Sequence, residues 1–189
     1  MSTETVWLLI PECVLIATAL AIYTAGAFVD APKRWSWIAA GGILLSASWL
    51  LLQSDMSDIA GPASGDALST FGRCLALAFG GLFVLLASRP LRGPGTSEYV
   101  GSLLLAVAGL MFVSGASELV LLFLGLELIS IPTYILLYVG RRDARGQEAT
   151  LKYFFLSILA SAMLLYGFSF LYGTTGTTDL TAMRTVAAS

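Results

Sequence analysis

Six apolar runs, at 6–28, 35–52, 70–88, 99–116, 119–139 and 148–172, leave this chain little choice of fold. Each is long enough, or nearly so, to cross a hydrocarbon layer of ~30 Å as a helix. Polar, glycine- and proline-bearing turns separate them, so the expected fold class is all-α integral membrane, with about six transmembrane helices in a single membrane domain over 1–189. Residues 173–189 read as a C-terminal loop or tail, with GTTGTTD as its opening. The composition agrees: 57% of residues are hydrophobic and 12% charged, a balance that a soluble fold would carry only by exposing large apolar patches.

Several chemistries are excluded at once. The chain has no histidine, which removes histidine-based metal sites and Ser/His or Cys/His nucleophile systems. No GxGxxG or GxxxxGK[ST] pattern occurs, so no nucleotide-binding turn is encoded. The balance of 10 basic and 12 acidic residues offers no basic face for nucleic acid. Cys13 and Cys74 lie far apart without CxxC spacing and read as small buried hydrophobes.

The basic residues sort by loop. Lys33 and Arg34, then Arg89 and Arg92, then Arg141, Arg142 and Arg145 fall on one side, with Arg73 and Arg184 opposite. The positive-inside rule makes the first group cytoplasmic, so both termini and the acidic 53–69 loop face outward from a multi-pass chain in the inner (cytoplasmic) membrane. Trp35 and Trp37 open the second span as interface anchors. SGASE joins the fourth and fifth helices through a turn so short that the two must be antiparallel neighbours.

The fifth run, LVLLFLGLELISIPTYILLYV, is apolar except for one acid, Glu127. At ~1.5 Å per residue that acid lies roughly 12 Å from one end and roughly 18 Å from the other. An ionisable group at such depth costs about 2.5–3.5 kcal/mol on insertion scales, and persists where it faces protein or water. Helical spacing places Ser130, Ile131 and Tyr134 on the face of Glu127. Pro132 removes the hydrogen bond to the Leu128 carbonyl, which predicts a kink and a free acceptor beside the acid. Burial favours the protonated acid and a nearby cation favours the carboxylate, so a lysine that approaches or withdraws would switch the proton. The alternative is a permanently protonated acid that hydrogen-bonds a neighbouring helix.

Lys152 keeps two readings open: partner to Glu148 in a solvated i, i+4 pair, or a group that moves protons. Ser157 and Ser161 form a small-xxx-small pair, and the glycines of the third and fourth helices read likewise as close-packing positions. Glu12, beside Pro11, reads as a structural group near the start of the first helix, satisfying free backbone donors or sitting in the interface.

The stretches EYVGSLLLAVAGLMFVSGASELVLLFLGLELISIPTYILLYV and EATLKYFFLSILASAMLLYGFSFLYGTTGTTDL resemble the N subunit (subunit 2) of proton-pumping NADH:quinone oxidoreductase, respiratory complex I. The likeness runs from about Asp66 to Leu180, and LLIPE near the start fits that subunit's first helix. The related L and M subunits and Mrp-type antiporters usually carry Trp before the helix-five Glu and no Pro five residues after it, where this chain has Leu126 and Pro132. The resemblance implies a proton-translocating subunit of about fourteen helices built on two inverted repeats. Glu127 matches the family's helix-five glutamate and Lys152 a lysine of its helix six. The family's broken seventh helix, whose lysine pairs with that glutamate, is absent, so the chain looks like the N-terminal part only.

The expected role is thus a non-catalytic, proton-pumping subunit with Glu127 and Lys152 in proton transfer and Ser130, Pro132 and Tyr134 in support. It would bind no cofactor itself, with quinone and NADH used by the whole complex. Its expected partners are the other membrane-arm subunits, the missing C-terminal helices and the lipid bilayer. The alternatives are an Mrp-type cation/proton antiporter subunit and a non-transporting scaffold from a truncated paralogue.

Overall fold

In a computed structural model, residues 3–29, 31–53, 62–87, 95–141 and 143–187 are described. They form α1 (Thr3–Leu8), α2 (Ile10–Gly26), α3 (Pro32–Leu52), α4 (Ala67–Ala87), α5 (Thr96–Gly115), α6 (Leu119–Gly140), α7 (Ala144–Thr175) and α8 (Leu180–Ala187). Helices α3 to α7 are long and apolar enough to cross a membrane, and α2 is a shorter apolar helix. The protein is a multi-pass, all-α membrane chain. Residues 54–61 of the acidic 53–69 loop, the basic turn at Arg89 and Arg92, and Arg142 lie outside the described residues.

The first predicted run is two helices. It breaks at Leu9, where Pro11 in the first turn of α2 has no N–H to offer. Helix α5 is the centre of the bundle, packed against α2, α3, α4 and α6. Small residues let these backbones approach: a Cβ on Gly109 would stand 2.8 Å from the Gly125 carbonyl oxygen, so α5 and α6 touch through two glycines. The core cluster, with Leu15, Ile22, Val84, Leu104 and Met111, fills the space among α2 to α5.

Two local expectations fail. Trp35 is buried in the core rather than anchored at the interface, while Trp37 is 78% exposed. Cys13 and Cys74 are both exposed, not buried. Helix α6 continues through Pro132 as one element from Leu119 to Gly140.

Helix α7 is 32 residues long, ~48 Å, and exceeds the predicted 148–172 at both ends. It starts early because Asp143 caps it, accepting the Gly146 N–H at 3.0 Å. It ends late, at Gly176, whose φ of 67° allows its N–H to reach the Tyr172 carbonyl at 2.7 Å. The predicted tail contains α8, capped by Asp179, which accepts from the Thr181 and Ala182 N–H groups at 2.8 Å each.

The α5–α6 turn is held from two sides. Ser64 N–H reaches the Gly115 carbonyl at 2.8 Å and Ser117 N–H reaches that of Pro62 at 2.9 Å. On the other side Leu119 N–H donates to Thr178 at 2.9 Å and Leu180 N–H to Ser117 at 3.0 Å. Thr178 Oγ1 adds a bond to Glu118 Oε1 at 2.6 Å. The turn is thus clamped on both sides through single bridge pairs, Ala63 with Ala116 and Glu118 with Asp179.

Candidate functional site

Helix α6 presents Phe123, Glu127, Ser130 and Tyr134 on one stripe, and the structure turns that stripe toward α7. At one end Leu119, Val120 and Phe123 line a cavity with Leu165, Phe168 and Tyr172. At the other, Tyr134 donates its hydroxyl hydrogen to Ser157 Oγ at 3.1 Å and meets the rings of Tyr153 and Phe154 edge-on. These two fixed points give one antiparallel register, in which Glu127 falls between the levels of Ser161 and Leu164. Along the middle of α7 the half-buried positions are Ser157, Ser161, Leu164 and Phe168, a helical stripe that faces α6.

The seam therefore carries one acid and several hydroxyls. Glu127 is half-buried, and its carboxyl has no hydrogen bond or ion pair among the described residues. Ser130 Oγ donates to the Leu126 carbonyl at 3.0 Å and Thr133 Oγ1 to that of Ile129 at 2.7 Å. Both hydroxyls keep their lone pairs for other donors. Pro132 is buried on the α5 side of the helix, so it shapes α6 from behind the stripe. Ser157 and Ser161, read from sequence as packing positions, supply the hydroxyl side of the seam; a Ser pair at i, i+4 beside a Tyr-bearing helix is the signal that points to it.

Lys152 is not brought to Glu127. It binds Glu148 Oε1 at 2.6 Å, with 74% and 64% of the two side chains exposed. By the same register it stands roughly 15 Å along the axis from the level of Glu127.

A second charged site lies among α2, α4 and α5. Glu12 is fully buried and faces Arg73, which is 1% exposed, with Oε1 to Nε at 3.3 Å. This is an ion pair without a well-aligned hydrogen bond, since both Glu12 oxygens and Arg73 Nε and Nη2 lack hydrogen-bond partners. Arg73 Nη1 reaches the Leu8 carbonyl at 3.4 Å, at the break between α1 and α2. The guanidinium lies flat on Gly115, where a Cβ would overlap Nη2 and stand 2.9 Å from Cζ. Glu12 is therefore neither a backbone cap nor an interface group, and Arg73, counted as an outward charge, points into the bundle. Among the described residues no group of three or more potential ligands could hold a metal.

Comparison with known proteins was informative over nearly the whole chain. Residues 116–189 match the transmembrane family described as NADH:quinone oxidoreductase/Mrp antiporter. The NAD(P)H-quinone oxidoreductase subunit 2 of Gloeothece citriformis is 34% identical over 183 residues, 93% of this chain and 35% of the relative. The NADH-quinone oxidoreductase subunit N 2 of Symbiobacterium thermophilum is 32% identical, over 91% of this chain and 37% of its own length. A chain of respiratory complex I from Thermus thermophilus, solved with bound aureothin, superposes with a TM-score of 0.77 at 31% identity, covering 90% of this chain and 38% of that one. The chain thus spans little more than a third of the length of these relatives. The family name covers both oxidoreductase and antiporter subunits, but the relatives carry subunit 2 or subunit N names, which favours the oxidoreductase side.

Proposed function

We propose that this chain is of the subunit N (subunit 2) type and supplies one station of a proton path in the membrane arm of an NADH:quinone oxidoreductase. The station is Glu127, in the hydroxyl-bearing seam between α6 and α7. The observation that supports this reading most is the combination of depth with lack of a partner. An acid at the middle of a spanning helix has no cation within reach among the described residues, so a partner from outside this segment sets whether it holds its proton.

The path runs as follows. Quinone reduction in other subunits shifts charge along the arm, a cation on a neighbouring helix moves relative to Glu127, and the acid takes up or releases a proton. Ser130, Tyr134, Ser157 and Ser161 offer donors and acceptors to water beside the acid. Pro132 leaves the Leu128 carbonyl without its helical donor. Lys152 works at the cytoplasmic start of α7, one step removed. NADH, quinone and the redox centres belong to other subunits. The partners are further membrane-arm subunits and lipid, in the cytoplasmic membrane, with basic loops inward and both termini outward.

The test is proton pumping by the assembled complex. Glu127→Gln lowers pumping more than Glu127→Asp, because Asp keeps a titratable group a methylene short of position while Gln keeps only hydrogen bonds. A non-transporting scaffold predicts the opposite order, since Gln mimics a protonated acid. Equal pumping by Glu127→Gln and wild type, at equal assembly, overturns the proposal.

A further inference from the structure

A groove between α3 and α4, on the far side of the bundle from Glu127, joins a cationic end to a long apolar floor. Its upper part is a cavity of about 220 Å³ lined by Lys33, Ser36, Trp37, Ala40, Val84 and Leu85. Its lower part, of about 540 Å³, shares Leu85 and continues past Leu82, Gly81 and Leu44 toward Leu51 and Cys74. Among the described residues none of the lining side chains is acidic. Lys33 has no ion pair among the described residues, and Arg34 beside it is exposed.

Depth decides what fits. Lys33 stands at the first turn of a helix long enough to span, so its ammonium is at headgroup level. Gly81 is one turn of α4 from Leu85, roughly 6 Å deeper. A ligand that satisfies both ends carries negative charge at the bilayer surface and a hydrocarbon chain below it. Trp37, 78% exposed at the rim, offers an indole N–H and a flat apolar face at the boundary between the two.

We infer that the α3–α4 groove is a binding site for one anionic phospholipid, its headgroup on Lys33 and Ser36 and an acyl chain along Leu85, Leu82 and Gly81. Basic pockets between spanning helices are where anionic headgroups are held. A zwitterionic lipid offers the same chain but no net charge, so the cationic end discriminates between them.

Gly81 gives the decisive variant. A Cβ there would meet nothing closer than Ile43 Cγ2 at 3.9 Å, so a larger side chain projects into the groove without disturbing the helices. Gly41, with nothing within 4 Å of its Cβ position, is the matched control on α3 and lines neither cavity. The full chain is purified from nanodiscs of equimolar phosphatidylglycerol and phosphatidylcholine, and retained lipids are counted by native mass spectrometry. Wild type and Gly41→Phe retain one phosphatidylglycerol with about fivefold preference, the scale of one basic residue at a membrane surface. Lys33→Ala abolishes the preference, and Gly81→Phe loses both lipids. Equal retention of the two lipids by wild type, or undiminished phosphatidylglycerol on both Gly81→Phe and Lys33→Ala, overturns the inference.

Discussion

Glu12 and Glu127 are both acids in apolar helices, yet one is closed in and the other left open. Glu12 is sealed among α2, α4 and α5, faces Arg73 and reaches no solvent. Glu127 sits in a seam whose far wall, α7, packs on α6 and otherwise exposes Phe155, Leu156, Leu159 and Met163. The difference is one of neighbours: α2 and α4 have helices on several sides, whereas α7 leans on α6. A buried charge with its partner already in place has little freedom to exchange a proton, because removing either member strands the other in a low-dielectric interior. An acid with an unfilled side can be acted on from outside. The open face of the seam is what sets the surroundings of Glu127 apart from those of Glu12.

That contrast can be broken most forcefully at Arg73. Arg73→Leu leaves Glu12 buried without its cation and should lower stability by about 3–5 kcal/mol, read as loss of folded chain in detergent thermal unfolding. The double variant Glu12→Leu, Arg73→Leu should recover most of it; failure to recover would mean that Arg73 acts through the Leu8 carbonyl rather than through Glu12. Next comes Gly115→Ala, which pushes a methyl into the guanidinium and should cost about 1–3 kcal/mol in the same assay. Removing the acid of the open seam is expected to be nearly silent for folding: Glu127→Gln shifts stability by no more than about 0.5 kcal/mol. A larger loss would show that Glu127, like Glu12, is structural. Smallest is a pH effect at the α7 cap. Arg141, which donates to Asp143 Oδ1 at 2.9 Å, and the Gly146 N–H hold this carboxyl below its ordinary value of 3.8. Its contribution is therefore complete above pH 3.8 and is lost as pH falls toward the lowered value. Amide exchange at the first turn of α7 should rise in that acid window in wild type, and Asp143→Asn should flatten the rise.

The helices were readable because hydropathy over a bilayer thickness is a strong, local signal, and the glycines of α4 and α5 were readable as contact points for the same reason. What escaped were features that depend on pairing across the chain. Glu12 and Arg73 are far apart in sequence, and in a tally of charges by membrane side Arg73 is no more than a count. The clue was present: two opposite charges, each within about two turns of the same end of its span, in helices that a four-helix bundle brings together. The ends of α7 lie beyond the hydropathy run because capping decides them: Asp143 is an ordinary start residue and Gly176 an ordinary stop. The start of α8 at Asp179 was lost for the same reason. In the seam, Tyr134 was placed on the right face, but its partner Ser157 could be named only once the register of α6 on α7 was known.

The clamp at the C-terminal end of α7 makes that helix a lever. Its fulcrum lies at Gly176 to Leu180, where the backbone is tied to the α5–α6 turn, and its long arm runs the other way, out to Ala144. A swing of about 5° about that fulcrum leaves the clamp bonds nearly unstretched but carries Ser161, roughly 21 Å along the arm, through about 2 Å. Lys152, roughly 34 Å out, sweeps about 3 Å for the same rotation. A shift of about two ångströms changes how much room the seam beside Glu127 leaves for a water molecule. A small push applied at the N-terminal tip of α7 would thus arrive beside the acid as a change in the width of the seam, while the clamped end barely moves.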